Sequence, residues 1–558
     1  RLLRALAAGL GGARALVTTR FPLVDLAAWR GQGLDEVELS TLSPAESVEL
    51  LRAWGLEGSP DELRRAAARW GGHALSLAVA GSYAATFLGA QSRRLDELQL
   101  AEAASEDLLA GRLARLLSEV AGALTPLERD ALARLAAFGR GAEPSLLAAL
   151  AESDDPELAG ALAGATQGEC ERALVRLEQL GLVFRSGALA QAHPFVREHF
   201  RALLGAQDQR LHAFEAGRLE ALLRDRPGQL PREPAQLDRY EQLLIHLVDA
   251  RQPEAAWRVY LQSLGGLAHL ALDLGALDRG ERLLRALSPT GEPEDLDLPP
   301  DARSAAAYDW GYFAAARGDL ALAERCYLAH EAAAAGEDEW ARAFGFALSR
   351  RARAHAAWRA GDLPRARARV EEALAAAERI ESDFHLLRTQ ALLGRIAHDQ
   401  GDLIACDAAF EAVRELEEGE PTARRGLWEA EVWLARGRAA EAEAHLRRNL
   451  AECAAQGWRG HVAHGRTLLG RALLAQGAEP EAADQLELAR AWAREAGEVD
   501  VLLRVYDLAA RLGEAGAAPA GLALAESTDH GLWRIKFLRL LGQDERAAAL
   551  AESVGFLG

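Results

Sequence analysis

Apolar residues along this chain of 558 residues fall mostly at helical spacing. Over the second half they do so in pairs of stretches parted by a glycine. Gly275, Gly318, Gly361, Gly401, Gly437 and Gly477 lie 43, 43, 40, 36 and 40 residues apart. A small residue recurs five positions after the glycine, at Ala323, Ala366, Cys406, Ala442 and Ala482. Leu or Trp followed by Gly recurs upstream, at Trp310-Gly311, Leu393-Gly394 and Leu469-Gly470. The pattern predicts helix–turn–helix units over 236–558, with Gly513 and Gly542 marking two degenerate terminal units. No such unit buries its apolar face alone, so the units must stack into a solenoid.

The first half is mixed. Ala15-Leu16-Val17-Thr18-Thr19-Arg20 reads as a short buried strand and Glu36-Val37-Glu38-Leu39 as a second. Three helix starts share one grammar: Ser43-Pro44-Ala45-Glu46, Ser59-Pro60-Asp61-Glu62 and Thr125-Pro126-Leu127-Glu128. Each has a capping hydroxyl, proline at the first helical position and glutamate three residues after the cap. Trp70 to Ser92 carries no Asp, Glu, Lys or Arg, but its Gly, Ser, Thr and His content predicts a buried helix instead of a membrane span. Helices follow from Thr125, over Glu143–Ala151 and through Cys170–Leu180. Leu182–Ala192 then reads as a β-hairpin turning at Ser186-Gly187. Pro194 opens another helix, which places His193 at a helix N-terminus, where free N–H groups and a positive dipole end suit a phosphate. A capping or core role is the alternative for His193.

Helices followed by a hairpin make a winged-helix outline. The expected fold class is mainly α. It comprises a small α/β remnant (1–40), a helical domain (41–115), a winged-helix-like domain (116–205), a linking helical region (206–235) and the α-solenoid (236–558).

Composition narrows the function. Half the residues are hydrophobic and a quarter charged, which specifies a folded protein. The net charge of −19 argues against broad binding to nucleic acid or anionic membrane. Between Ala121 and Leu204 there are 8 arginines against 11 acids, so no basic recognition face stands out. Cys170, Cys326, Cys406 and Cys453 are far apart and form no Cys-x-x-Cys pair. They predict free thiols in a reducing, cytoplasmic compartment, with neither zinc site nor disulfide. Methionine is absent and the first residues already sit in a helical pattern. The expectation is a piece of a longer protein.

Three stretches stand in a fixed order: Leu16-Val17-Thr18-Thr19-Arg20, Gly71-Gly72-His73-Ala74-Leu75-Ser76-Leu77 and Ala192-His193-Pro194-Phe195-Val196-Arg197. Together they resemble the second half of the NB-ARC-type signalling ATPases of the STAND class. The resemblance implies that Arg20 is the sensor arginine that reads the γ-phosphate. It places Gly71 and Gly72 beside the adenine and sugar, and brings His193 to the β-phosphate of ADP. Ala74 stands where the family has proline, and Ala192 and Pro194 stand for its methionine and aspartate. No Gly-x-x-x-x-Gly-Lys-Ser/Thr loop occurs in the chain. The likeness spans roughly residues 1–205. It implies ADP or ATP in the intact parent, no tight nucleotide binding and no ATP hydrolysis by this chain alone, and self-oligomerisation of the parent. The glycine-marked units resemble tetratricopeptide repeats, which makes the array the sensor of a protein or peptide. A transcriptional regulator of the same build and a scaffold without nucleotide stay open as alternatives.

In such arrays the first helix of each unit lines the inner groove. Positions 13, 10, 6 and 3 residues before each turn glycine share one helical face. For the five units from Gly318 to Gly477 they include Tyr308, Tyr312, Arg351, His355, Trp358, Arg388, Arg395, His398, Arg424, His464 and Arg471. Five arginines and three histidines stand there against one acid, Glu431, in a chain of net charge −19. That reversal of sign predicts an acidic peptide, a carboxylate terminus or another anionic partner in the groove. No catalytic constellation is present. His461 and His464 lie three apart but lack a third metal ligand in sequence.

Overall fold

The computed structural model describes residues 41–95, 108–139, 141–187, 189–223, 230–334, 339–417 and 422–557, with a few isolated positions before residue 41. Arg20 and most of the two strands expected before residue 40 lie outside the described residues. The described chain is mainly α-helical, with one two-stranded sheet. It divides into two compact units, one up to Arg218 and one from Leu219. The division falls inside the Gln207–Leu223 helix, within the stretch expected to link the two halves.

In the first unit, Ser43, Ser59 and Thr125 each cap a helix with a complete capping box, as their sequence predicts. Thr166 forms a fourth with Glu169; it lacks the proline that flags the other three. The uncharged stretch forms the largely buried helix Ala74–Phe87. Among the described residues no helix is long and apolar enough to cross a membrane. Strands β1 (Val183–Ser186) and β2 (Leu189–Ala192) pair antiparallel with Ser186 opposite Leu189. The turn therefore starts at Gly187 (φ +61°), one residue later than the sequence reading, because only glycine meets that φ without strain. One apolar core runs from Val48 through Leu116 and Leu147 to Leu211. The boundary expected at residue 115 thus runs through the helix Leu108–Ala123 and through a continuous core. Ser82 Oγ donates to the Leu180 carbonyl at 2.7 Å, tying the helical segment to the hairpin's lead-in.

The second unit is a tetratricopeptide-like solenoid. From Pro300 its paired helices are Pro300–Ala316 with Leu320–Ala334, Glu339–Ala360 with Leu363–Arg379, and Asp383–Asp399 with Leu403–Glu417. Ala423–Ala435 with Ala439–Ala455, Arg459–Ala475 with Glu479–Ala496, Val499–Arg511 with Ala517–Ser527, and Gly531–Leu540 with Asp544–Val554 complete it. We number these hairpins one to seven. Each expected turn glycine from Gly318 onward, Gly513 and Gly542 included, sits between the two helices of its pair with positive φ.

The array does not stay open. The superhelix turns far enough for hairpins six and seven to pack against one to three. Leu532, Ile535, Leu538 and Phe556 share one apolar cluster with Trp358, Leu363, Ile396 and Phe410. The Leu557 amide donates to the Asp399 carbonyl at 2.9 Å. At Gly361 (φ +90°) the chain passes Gly531 so closely that a Cβ would lie 3.2 Å from the Gly531 Cα. Gly477 (φ +80°) has the same backbone and open space around it.

That pair isolates the cost of closure. An alanine in the left-handed region is disfavoured by about 1–2 kcal/mol at either site. Gly361→Ala is expected to lower the thermal midpoint of the chain further than Gly477→Ala, because only the first also pushes hairpin seven away. Equal midpoints by circular dichroism would show that the closure adds no stability.

Candidate functional site

Two places collect the residues that the sequence singles out, one in each unit. In the first unit, Gly71 (φ +59°) and Gly72 (φ +70°) form the turn before Ala74–Phe87. A Cβ on Gly72 would lie 2.4 Å from the Leu42 carbonyl oxygen, and the Leu42 amide donates to the Gly72 carbonyl at 2.8 Å. The close approach that glycine permits here is thus taken up by the protein's own backbone, while Gly71 stays exposed. His73 caps the Ala74–Phe87 helix through Nδ1, which accepts from the Ser76 amide at 3.3 Å. His193 caps Pro194–Arg201 in the same way, its Nδ1 accepting from the Phe195 amide at 3.4 Å. Both imidazoles meet the Phe195 ring. His193 stacks at 5.9 Å and His73 stands edge-on at 6.5 Å. Two motifs that are 120 residues apart in sequence thereby become one site. Two histidine-capped helix N-termini converge there, each with amide N–H groups and a partial positive charge. The capping role of His193 is real, and it does not remove the residue from that site.

In the second unit the expected lining residues do share the inner face, but that face is no open groove. Trp358 is buried and its indole N–H donates to Asp399 at 2.8 Å. His355 stacks on it at 5.5 Å. Arg424 of hairpin four reaches across to the Tyr312 hydroxyl of hairpin one at 3.3 Å. Tyr308 packs against Tyr327 and His330. Arg395, 3% exposed, pairs with Asp399 at 2.8 Å, and the buried His398 lies beside it. Arg471 lies 3.6 Å from Asp507. His464 is buried next to His461, Arg424, Glu498 and Asp500 around a small interior gap. Arg351 and Arg388 are half-buried.

Glu431 stands at the centre of this face and is 3% exposed. One of its oxygens accepts from Arg504 at 3.0 Å. The other is ringed by Lys536 at 3.5 Å, Arg395 at 3.6 Å and Arg471 at 4.0 Å. Burial alone would raise this carboxyl's pKa; Arg504, Arg395, Lys536 and Arg471 outweigh it and hold the group well below the usual carboxylate range. Asp500 is held down in the same way, against its burial, with Arg504 and Arg359 the largest opposing charges.

The expectation of an exposed arginine stripe is corrected at Arg395 and Arg471, which this chain's own acids already neutralise. Of those acids the offsets give Glu431 but neither Asp399, which lies two residues before Gly401, nor Asp507, which belongs to the sixth hairpin. The same offsets counted back from Gly513 give Asp500 and Asp507, and six residues before Gly542 stands Lys536. The degenerate terminal hairpins carry the complementary charges.

No protein-family model matches the chain, and no curated protein does. Among solved structures it is similar to a Signal Transduction ATPase with Numerous Domains with a tetratricopeptide repeat sensor from Pyrococcus horikoshii. The identity is 16% and the TM-score 0.40, over 94% of this chain and 74% of that one. A likeness of that degree assigns no activity.

Removing one partner of a buried ion cluster typically costs about 3–5 kcal/mol. Glu431→Gln is expected to lower the thermal midpoint of the chain markedly at pH 7. The wild-type contribution is present above the unfolded carboxylate pKa, about 4.3, and is lost as pH falls through the depressed folded value. The gap between wild type and variant should therefore narrow towards pH 3. A gap that is the same at both pH values would remove Glu431 from its central role.

Proposed function

We propose that this chain belongs to a nucleotide-controlled signalling protein of the STAND kind, with the solenoid as the receptor for a protein or peptide partner. The observation that carries the reading is the meeting of Gly71-Gly72-His73 with His193 across Phe195. Their likeness to nucleotide-contacting motifs and their contact in the fold are independent of one another. Their convergence joins two helix N-termini, which suits a diphosphate held by amide N–H groups and histidine. This chain contains no Gly-x-x-x-x-Gly-Lys-Ser/Thr loop to cradle phosphates, and no apolar run ending in paired acids precedes Arg20 to hold magnesium. Without them the chain by itself does not hydrolyse ATP, since phosphoryl transfer needs both positioning and charge neutralisation.

In this reading ADP holds the off state through His193, and Arg20 reads the γ-phosphate in the on state. Partner binding to the solenoid shifts the balance between the two. A ligand can move such an equilibrium only by binding one state better than the other.

The test uses the protein as its gene encodes it. Its ADP affinity is measured by calorimetry for wild type and His193→Ala. A hydrogen bond to a charged phosphate contributes about 1.5–3 kcal/mol, so ADP should bind at least about tenfold more weakly to the variant. Thr166→Ala, which removes a cap of similar strength on a helix that bears neither histidine, should leave ADP binding unchanged. If His193→Ala leaves ADP affinity intact, the histidine is a helix cap and nothing more.

A further inference from the structure

Ring closure consumes only part of the arginine stripe. Arg395 and Arg471 face Glu431, Asp399 and Asp507. Arg351 of hairpin two and Arg388 of hairpin three do not share in that network. Among the described residues neither has a carboxylate at ion-pair distance. Arg388 donates only to the Phe384 carbonyl, at 3.1 Å, and its guanidinium lies 3.7 Å over the Phe384 ring. Arg351 Nε is buried with no hydrogen-bond partner.

The surroundings register this excess of positive charge. Burial first, then the charges of Arg351 and Arg388, push the His385 pKa down to about 4. Burial, Arg351 and Arg425 push Arg388 itself down to about 10. Both ring nitrogens of His385 are buried without partners. Two partly desolvated guanidinium groups side by side are costly in isolation and are relieved by a carboxylate supplied from outside.

An apolar shelf adjoins the pair. Trp340 stacks on Phe344 at 5.1 Å, and Phe344 on Phe384 at 6.3 Å. Trp340 is 56% exposed and Phe384 47%. Large aromatic rings left in water beside unneutralised arginines form a surface with both an anchor and a charge to offer.

We infer that Arg351 and Arg388, with the Trp340–Phe344–Phe384 ladder, form the docking surface for an acidic peptide segment that carries a large apolar side chain next to its carboxylates. This rests on the reading of the solenoid as a partner receptor and deepens it. The carboxylates sit on the two guanidinium groups, and the apolar side chain lies along the ring ladder. A polynucleotide also combines negative charge with flat rings. It fits less well, because its many phosphates need a continuous basic track. Here Arg350, Arg353 and Arg369 next to the pair are already bound to Glu324, Glu331 and Glu372.

The probe is a fluorescein-labelled Glu-Glu-Phe-Glu-Glu peptide, followed by anisotropy with the full chain at low salt. Saturable binding that weakens with added salt is expected. Arg351→Glu with Arg388→Glu should weaken it at least about tenfold, since each lost charged hydrogen bond is of that order. Arg351→Gln with Arg388→Gln gives a smaller loss and serves if the reversal disturbs folding, with helicity checked by circular dichroism. Glu-Glu-Ala-Glu-Glu should bind several-fold more weakly, because a buried aromatic side chain contributes at least as much as one charged contact. Arg325→Glu, which reverses an arginine bound to Glu292 and Glu294, should behave as wild type. The inference is overturned if the folded wild-type chain binds no peptide at low salt, or if both double variants bind it as wild type does. It is also overturned if oligouridylate displaces the peptide and binds with the same dependence on Arg351 and Arg388. The ADP titration of the His193 site is independent of every one of these outcomes, so the two readings fail separately.

Discussion

The Glu431 carboxylate holds the second unit in the form seen here. It belongs to hairpin four, and the cations around it come from hairpins three, five, six and seven. A buried charge has a large desolvation cost unless it is matched. Glu431 meets that condition only when the superhelix has turned far enough to bring Arg504 and Lys536 inward. The ion cluster therefore specifies how tightly the array winds, a job that apolar packing between neighbouring hairpins leaves loosely defined. Nearest-neighbour stacking alone would allow a range of curvatures. The apolar contacts of Leu532, Ile535 and Phe556 with the core of hairpins two and three then fix the closed form.

Closure changes what the inner face is for. In an open array the arginines of this face, Arg395 with its helix neighbour Asp399 apart, would attract an anionic segment. Here the chain answers its own charge with Asp399, Asp500 and Asp507, and the interior becomes a structural core with ions in it. Among the described residues Arg351 and Arg388 keep no carboxylate at ion-pair distance, and Trp340 and Phe384 nearby are exposed.

The first unit works by a different economy of contacts. Several of its helices begin with side-chain caps, and two of those caps are histidines that meet on Phe195. A serine cap would satisfy the same amides. Imidazole adds a ring that stacks, and so links the two helix starts to one another. The continuous core from Val48 to Leu211 keeps them in register, since a single packed core moves as one body.

Much of this was legible in the sequence. Helix starts at Ser43, Ser59 and Thr125 followed from three-residue chemistry, because a capping box is a local structure. Turn glycines from Gly318 to Gly542 were legible because positive φ leaves few alternatives to glycine. The inner-face residues were legible because helical periodicity is local too. What the sequence could not decide was the exposure of that face. Arg395 and Arg388 stand two turns apart on one face of one helix, and only Arg395 has an acid, Asp399, four residues further on. The folded array adds Glu431 of the next hairpin to Arg395 and, among the described residues, leaves Arg388 without a carboxylate at ion-pair distance. Likewise His73 and His193 could be named separately as helix starts, but their meeting on Phe195 is a property of the packed core. Local sequence sets dihedral angles, caps and the nearest ion pairs; the charges that meet between hairpins, such as Glu431 with Arg504 and Lys536, are paired only in the folded chain.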